Sequence, residues 1–179
     1  MKTRQFNYLL LIIAMMTGLY SCTTIPKGAA PVKPFVKEKY LGKWYEIARK
    51  DFKYERGLSN TTAEYTLNDN GSIMVVNKGY NAKTGAWSQA IGKAKFVGEE
   101  NIAKLKVSFF GPFYSGYNLI AIDEEYRYAL VAGKSLKYLW ILSRYIQIPV
   151  EVKEQYLKIA QGIGYNTSDL IWVKHENNK

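Results

Sequence analysis

One cysteine and one histidine are all that this chain of 179 residues offers for nucleophilic or metal chemistry. His175 lies in a polar C-terminal stretch, Lys174 to Lys179, and no Ser stands in a Gly-x-Ser-x-Gly elbow, the strained turn that exposes a hydroxyl for attack. Carboxylates that could serve as general acids or bases are present, Glu46, Glu64 and Asp123 among them, but nothing gathers them with a partner. Asp123-Glu124-Glu125 reads as a solvated turn, and no His, Cys or carboxylate spacing suits zinc or haem iron. These residues argue against an enzyme and against a resident metal or cofactor.

Cys22 has a different setting. Lys2 and Arg4 precede an apolar run from Tyr8 to Leu19, about 12 residues and well short of the ~20 a helix needs to cross a bilayer. Such a run reads as an export signal over residues 1–21, to be removed. The sequence Leu19-Tyr20-Ser21-Cys22 at its end resembles a bacterial lipobox, in which cleavage precedes the Cys and the sulfur is acylated; Tyr20 occupies a place that usually holds a small residue. The plainer alternative is a secreted protein with an unpaired thiol. Several acyl chains on Cys22 would anchor the chain stably, since each buried methylene contributes ~0.8 kcal/mol and a single chain holds only marginally. Thr23 rather than Asp follows the Cys, which in lipoproteins points to the outer membrane. Cys22 used this way leaves no thiol for a disulfide, so the domain must stand on packing.

Loss of Lys2 and Arg4 lowers the formal charge from +10 by two, to +8, and several Lys lie between Lys27 and Lys39. A basic surface suits solubility and attraction to anionic headgroups. Nucleic acid is the other partner such a charge suggests, but the export signal places the chain in the wrong compartment and no nucleic-acid motif is present.

Residues from Thr23 to Pro34 include three Pro with Gly28, Ala29 and Ala30, and read as a flexible tether over 22–34, the fold starting near Phe35 and filling 35–179. From there short segments rich in β-branched and aromatic residues recur between turn signals: Gly42 to Lys50, Thr61 to Leu67, Ser72 to Tyr80, Ala86 to Val97, Ala103 to Phe110, Gly116 to Asp123, Tyr126 to Gly133 and Tyr138 to Arg144. Asn68-Asp69-Asn70-Gly71 and Asn81-Ala82-Lys83-Thr84-Gly85 supply residues that tolerate left-handed backbone. After Pro149, apolar Val152, Tyr156, Ile159, Ala160 and Ile163 follow helical spacing, and Leu170-Ile171-Trp172-Val173 adds a last strand before a loose tail.

Eight antiparallel strands and one late helix are best satisfied by an all-β, eight-stranded up-and-down barrel, which removes exposed edges and leaves room for one small ligand. Alternation in Leu105-Lys106-Val107-Ser108-Phe109 turns Leu105, Val107 and Phe109 inward and sends Lys106 and Ser108 to water. The segment Tyr138-Leu139-Trp140-Ile141-Leu142 is apolar on both faces, as expected if one face lines the barrel and the helix covers the other. Parity alone leaves open which face is which.

Tyr40-Leu41-Gly42-Lys43-Trp44-Tyr45-Glu46-Ile47-Ala48-Arg49 resembles the first signature of the lipocalins, a helical turn followed by Gly-x-Trp opening the first strand. It is joined, in that family's order, by Asn77 to Asn81, Val107 to Tyr114, Tyr117 to Asp123 and Leu139-Trp140-Ile141-Leu142-Ser143-Arg144. The similarity runs from about Val36 to Val173 and is strongest to bacterial outer-membrane lipocalins and their apolipoprotein D-like relatives.

The resemblance implies that Gly42, Trp44 and Arg144 build the closed base of the barrel, with Arg144 across the Trp44 ring in a cation–π contact worth ~0.5–2 kcal/mol. It also implies a ligand-binding lining of Val107, Phe109, Tyr117, Leu119, Tyr138, Trp140 and Leu142. A lining of Tyr, Trp and Phe suits acyl chains, and Tyr hydroxyls can meet a polar head. By the same resemblance the ligand is a fatty acid or lysophospholipid, held for envelope maintenance under stress by a barrel anchored to the outer membrane and facing the periplasm. Two other readings compete: a scaffold whose partner contacts Gly111-Pro112-Phe113-Tyr114, and a lipid-modifying enzyme. Homodimerisation is left open by the sequence.

Overall fold

The computed structural model describes residues 24–176. A single turn of helix, α1 (Lys37–Tyr40), leads into β1 (Gly42–Arg49), β2 (Leu58–Leu67), β3 (Ile73–Asn81), β4 (Ala86–Phe96), β5 (Lys104–Phe110), β6 (Phe113–Ile122), β7 (Tyr128–Gly133) and β8 (Leu139–Ser143). A helix, α2 (Val150–Ile163), and a two-residue strand, β9 (Ile171–Trp172), follow. The eight expected strands, the helix and the final strand are all present. Every strand from β2 to β7 pairs antiparallel with the next, and β1, paired with both β8 and β2, closes the ring.

Closure is achieved by bending β1. Its first half pairs with β2, from Gly42↔Tyr65 to Tyr45↔Thr62, while its second half pairs with β8, from Tyr45↔Ser143 to Arg49↔Trp140. The register slips between Glu46 and Ala48, so Ile47 is an extra residue in the strand. A bulge of this kind sharpens local twist and lets one strand serve two neighbours. A second irregularity falls between Ser59 and Thr62, where Asn60 takes the left-handed conformation, φ 51°. That kink allows β2 to start at Leu58, earlier than its apolar pattern indicates. Likewise β6 begins at Phe113, so Gly111 and Pro112 are the whole connection between β5 and β6.

Two apolar clusters share the wall. Inside the barrel lie Tyr40, Trp44, Tyr65, Ile73, Val75, Ala94, Leu105, Leu119, Val131 and Leu142. Outside, Ile47, Leu130, Leu139 and Ile141 pack under Tyr156 and Ala160 of α2. The two apolar faces of β8 are thereby assigned: Trp140 and Leu142 go inward, Leu139 and Ile141 go under the helix. Pro149 caps α2 at its start, and Gly164, at φ 105°, turns the chain so that its amide returns to the carbonyls of Ala160 and Gln161. The Tyr156 hydroxyl donates to the Tyr128 carbonyl (2.8 Å), fixing the helix against β7.

Three expectations need correction. The Pro-rich stretch is not a free tether where it is described: Val32 donates to the Leu119 carbonyl (2.9 Å) and accepts from Ala103 (2.9 Å), and Phe35 donates to the carbonyl of Asn101 (2.8 Å). These backbone bonds splice residue 32 between β5 and β6, an interaction that composition cannot reveal. The polar tail is also held as far as Glu176, because Val173 donates to Ile47, Lys174 accepts from Asn60, and His175 Nε2 lies 2.7 Å from the Glu46 carbonyl. Ser108, expected in water, is buried beside a register slip between Val107 and Phe110, and its Oγ has no partner among the described residues. The signal sequence 1–21 and Cys22 lie outside the described residues.

Candidate functional site

At the base, Trp44 is fully buried and donates its indole N–H to the Tyr40 carbonyl (2.8 Å). The Arg144 guanidinium lies over the ring, 3.9 Å from its centroid. The same guanidinium donates to the carbonyls of Lys43 (2.7 Å), Lys39 (2.8 Å), Leu41 (2.9 Å) and Tyr40 (3.2 Å). The last carbonyls of α1 have no intrahelical donors, and a planar cation with several N–H groups meets them together. Gly42 takes φ 88°, and a Cβ there would stand 3.5 Å from Arg144 Nη1. The three residues expected at the base are thus one structural unit.

Above the base, three phenols converge. The Tyr117 hydroxyl lies 2.6 Å from that of Tyr40 and 2.6 Å from that of Tyr65. Burial pushes the Tyr65 phenol up to about 12 and raises those of Tyr40 and Tyr117 well above the ordinary phenol value, so all three keep their protons and serve as hydrogen-bonding groups. Around them the structure brings Val107, Phe109, Tyr117, Leu119, Trp140 and Leu142 to one interior surface. Leu119 and Leu142 are fully packed, whereas Val107, Phe109, Tyr117 and Trp140 keep part of their surface accessible although they pack on the interior cluster. Tyr138 stands nearer the rim, stacked on Trp140 at 14° with centroids 6.4 Å apart, and Phe52 meets both rings edge-on.

A charged group inside the barrel escaped the sequence reading. Glu46 and Arg49 are 6 % and 1 % exposed, and Arg49 Nη1 donates to the Glu46 carboxyl (2.6 Å). Thr61 Oγ1 donates to the same carboxylate (3.2 Å), and Arg49 donates to the Glu55 carbonyl. The Glu55 carboxylate accepts from the Trp140 indole (3.1 Å). One guanidinium thus meets the Glu46 carboxyl and the Glu55 backbone carbonyl, with the Glu55 carboxyl close by, in a dry setting. Burial, reinforced by the Glu55 charge, pushes Glu46 up to about 8 against the pull of Arg49, and burial raises Glu55 as well. Arg49 Nε has no partner among the described residues. Alternation from Trp44 could have placed Glu46 inside, but the extra residue Ile47 is what turns Arg49 inward, and nothing in the sequence marks that bulge. Glu55 arrives from the β1–β2 connection, whose return over the mouth is a tertiary event.

This arrangement has the makings of a binding cup: a sealed base, an aromatic wall, hydroxyls at mid-depth and both charge signs near the opening. Among the described residues no group of three or more His, Cys, Asp or Glu is placed to hold a metal. Residues 37–175 match the profile of the lipocalin-like domain. The chain is 51% identical over 168 residues to the outer membrane lipoprotein Blc of Citrobacter freundii, covering 91% of this chain and 95% of that one. It is 50% identical over 171 residues to the protein of the same name from Escherichia coli strain K12, covering 93% and 97%. Among solved structures, insecticyanin from the tobacco hornworm Manduca sexta superposes with a TM-score of 0.69 over 86% of this chain and 88% of that one, at 21% identity, and so shares the fold. A profile that spans the barrel, with identity near one half over almost the full length, settles membership: the chain belongs to the lipocalin family.

Proposed function

We propose that this protein is a lipid carrier of the outer membrane, binding a fatty acid or lysophospholipid inside its barrel and held to the bilayer by acyl groups on Cys22. The observation that carries this reading is the accessible surface retained by Val107, Phe109, Tyr117 and Trp140 on the inside of a closed barrel, since inward-facing aromatic surface left unpacked favours an apolar guest. The acyl chain lies among these residues. The polar head stays at the rim near Tyr138, above the buried group of Glu46, Arg49 and Glu55. Anchoring is supported by the signal-like run before Cys22 and by relatives named outer membrane lipoproteins. Storage or transport of such lipids for envelope maintenance, with the barrel in the periplasm, completes the proposal. Binding without catalysis accords with the family and with the lone His175, whose ring contacts Tyr45 and the Glu46 carbonyl.

The test is displacement. The delipidated protein is loaded with a fluorescent fatty acid and titrated with a lysophospholipid, in parallel with Trp140→Ala. Micromolar displacement by the parent protein and at least about tenfold weaker binding by the variant are expected, since ~1.4 kcal/mol of lost aromatic contact corresponds to a factor of ten. No uptake of the probe at micromolar concentration overturns the proposal and leaves the barrel as a scaffold.

A further inference from the structure

The first described residues do not trail away from the barrel. The Thr24 carbonyl accepts from Asn118 Nδ2 (2.8 Å), and it fills the space above Gly116 so fully that any side chain there would overlap it. Gly116 and Asn118 lie on the outer face of β6, and Asn118 pairs with Ala132, next to the end of β7. Residues 25–28 face Lys134, Ser135 and Leu136, the turn between β7 and β8. That turn lies at the open end, opposite Trp44 and Arg144. The chain therefore climbs the wall from Phe35 at the base to Thr24 at the rim. Cys22 is two residues further on, within ~7 Å of Thr24 by covalent geometry. Whatever holds Cys22 holds the mouth.

The two ends also differ in charge and polarity. The mouth connections carry Lys53, Arg56, Lys83, Lys134 and Lys137, with Asp51 and Asp169 as exposed acids, Asp169 paired with Lys50. The base carries Asp69, Glu99, Glu100, Asp123, Glu124 and Glu125, largely offset by Arg127, Arg144, Lys39 and Lys43 and by Lys33 and Lys37, which pair with Glu99 and Glu100. Phe110 and Phe113 flank the Gly111-Pro112 connection at the mouth, 66% and 79% exposed, with Tyr114 beside them and Leu136 on the neighbouring turn. Exposed aromatic rings ringed by Lys are the composition of a surface that settles at a bilayer interface, and an anionic leaflet attracts the net-basic mouth more strongly than the nearly balanced base.

We propose that the barrel stands mouth-down on the anionic leaflet that holds its anchor, with Phe110, Phe113 and Tyr114 entering the headgroup layer and Lys53, Lys134 and Lys137 meeting lipid phosphates. The lumen then opens directly onto the membrane, and lipid passes between bilayer and barrel without crossing water. This orientation rests on the anchoring of Cys22 proposed above.

The full acylated chain, its only native thiol consumed by the anchor, is labelled with an environment-sensitive dye at Phe113→Cys or at Glu124→Cys. Each is reconstituted into vesicles of phosphatidylethanolamine and phosphatidylglycerol with brominated acyl chains. Quenching several-fold stronger at 113 than at 124 is expected, and it should fall when Lys53, Lys134 and Lys137 are all changed to Glu or when the vesicles are phosphatidylcholine alone. Equal quenching at the two positions, or stronger quenching at 124, overturns the orientation. So does a dye at 113 that is shielded from water yet not quenched by bromine, because a second copy of the chain then covers the rim. A chain that fails to float with vesicles refutes the anchoring instead, and displacement from the lumen is measured independently of both.

Discussion

Arg144 and Trp44 form the latch of the closed end: one guanidinium lies 3.9 Å from the indole centroid while its N–H groups serve the carbonyls at the end of α1 and the start of β1. The rim opposite them is built from connections, whereas this end is held by one side chain reaching back about a hundred residues to Lys43 and Lys39.

Arg144→Lys is therefore expected to destabilise the barrel although the charge is kept. A lysine has three donors on one atom and cannot span carbonyls spread along a turn, and charge-assisted hydrogen bonds contribute about 1.5–3 kcal/mol each where they are made well. A loss of about 2 kcal/mol in urea unfolding, with lipid affinity in the surviving native protein unchanged, is the expected outcome. An unaltered midpoint would show that the latch is ornamental.

Stability should fall as the solution is made more alkaline, the reverse of a protein held by ionised surface pairs. Glu46 is raised from 4.5 to about 8 by burial and by its neighbour Glu55. Between those values the native state holds a proton that the unfolded chain has released, so its advantage is complete below about pH 4.5 and is lost as pH rises through 8. The change is on the order of a few kcal/mol. Glu46→Gln keeps a partner for Arg49 and Thr61 without the titration and should flatten the profile. Parallel slopes for the two proteins between pH 5 and 8 would remove Glu46 as the cause.

Most of the architecture was legible because strand alternation, turn residues and helical spacing are local signals. Leu105, Val107 and Phe109 point inward as alternation requires, and the apolar stripe of α2 covers β8 as its spacing requires. Trp44 and Arg144 were legible through resemblance alone, since no local rule joins positions so far apart. What stayed hidden depends on one-residue irregularities or on backbone pairing at long range. Ile47 as an extra residue inverts the parity of β1, and this is why Arg49, which looks like a surface cation at a strand end, lies inside. Residues 24–34 look like a linker by composition, yet Val32 is bound to Leu119 and Ala103 and the Thr24 carbonyl to Asn118, partners that Pro, Gly and Ala do not announce.

Tyr117→Phe isolates the role of the phenol triad. The Tyr117 hydroxyl bridges those of Tyr40 and Tyr65, so its removal takes one hydrogen-bond partner from each of two buried hydroxyls. A cost of about 1–3 kcal/mol is expected from leaving buried polar groups unpaired. Ligand affinity should respond little if the lipid head stays near the mouth, and should drop about tenfold if the head descends to mid-depth, where one lost hydrogen bond of ~1.4 kcal/mol would show. Comparing displacement curves for a fatty acid and its methyl ester in both proteins separates these two positions.

Gly116→Ala tests whether the ascent of residues 24–32 along the wall depends on the absence of a side chain. Gly116 lies in ordinary extended backbone, so alanine introduces no conformational strain in β6; its methyl would occupy the place of the Thr24 carbonyl. The segment must lift away, and Asn118 then keeps only its bond to the Ala132 carbonyl (3.2 Å). Because the barrel wall itself is untouched, global stability should drop by no more than about 1 kcal/mol, the scale of one hydrogen bond. The local effect should be much larger: Lys27, exposed and now on a loosened strand of chain, becomes a trypsin site cut many times faster than in the parent protein, with the remaining domain intact. Equal cleavage rates at Lys27 in the two proteins would mean that the contact over Gly116 does not hold the chain to the rim.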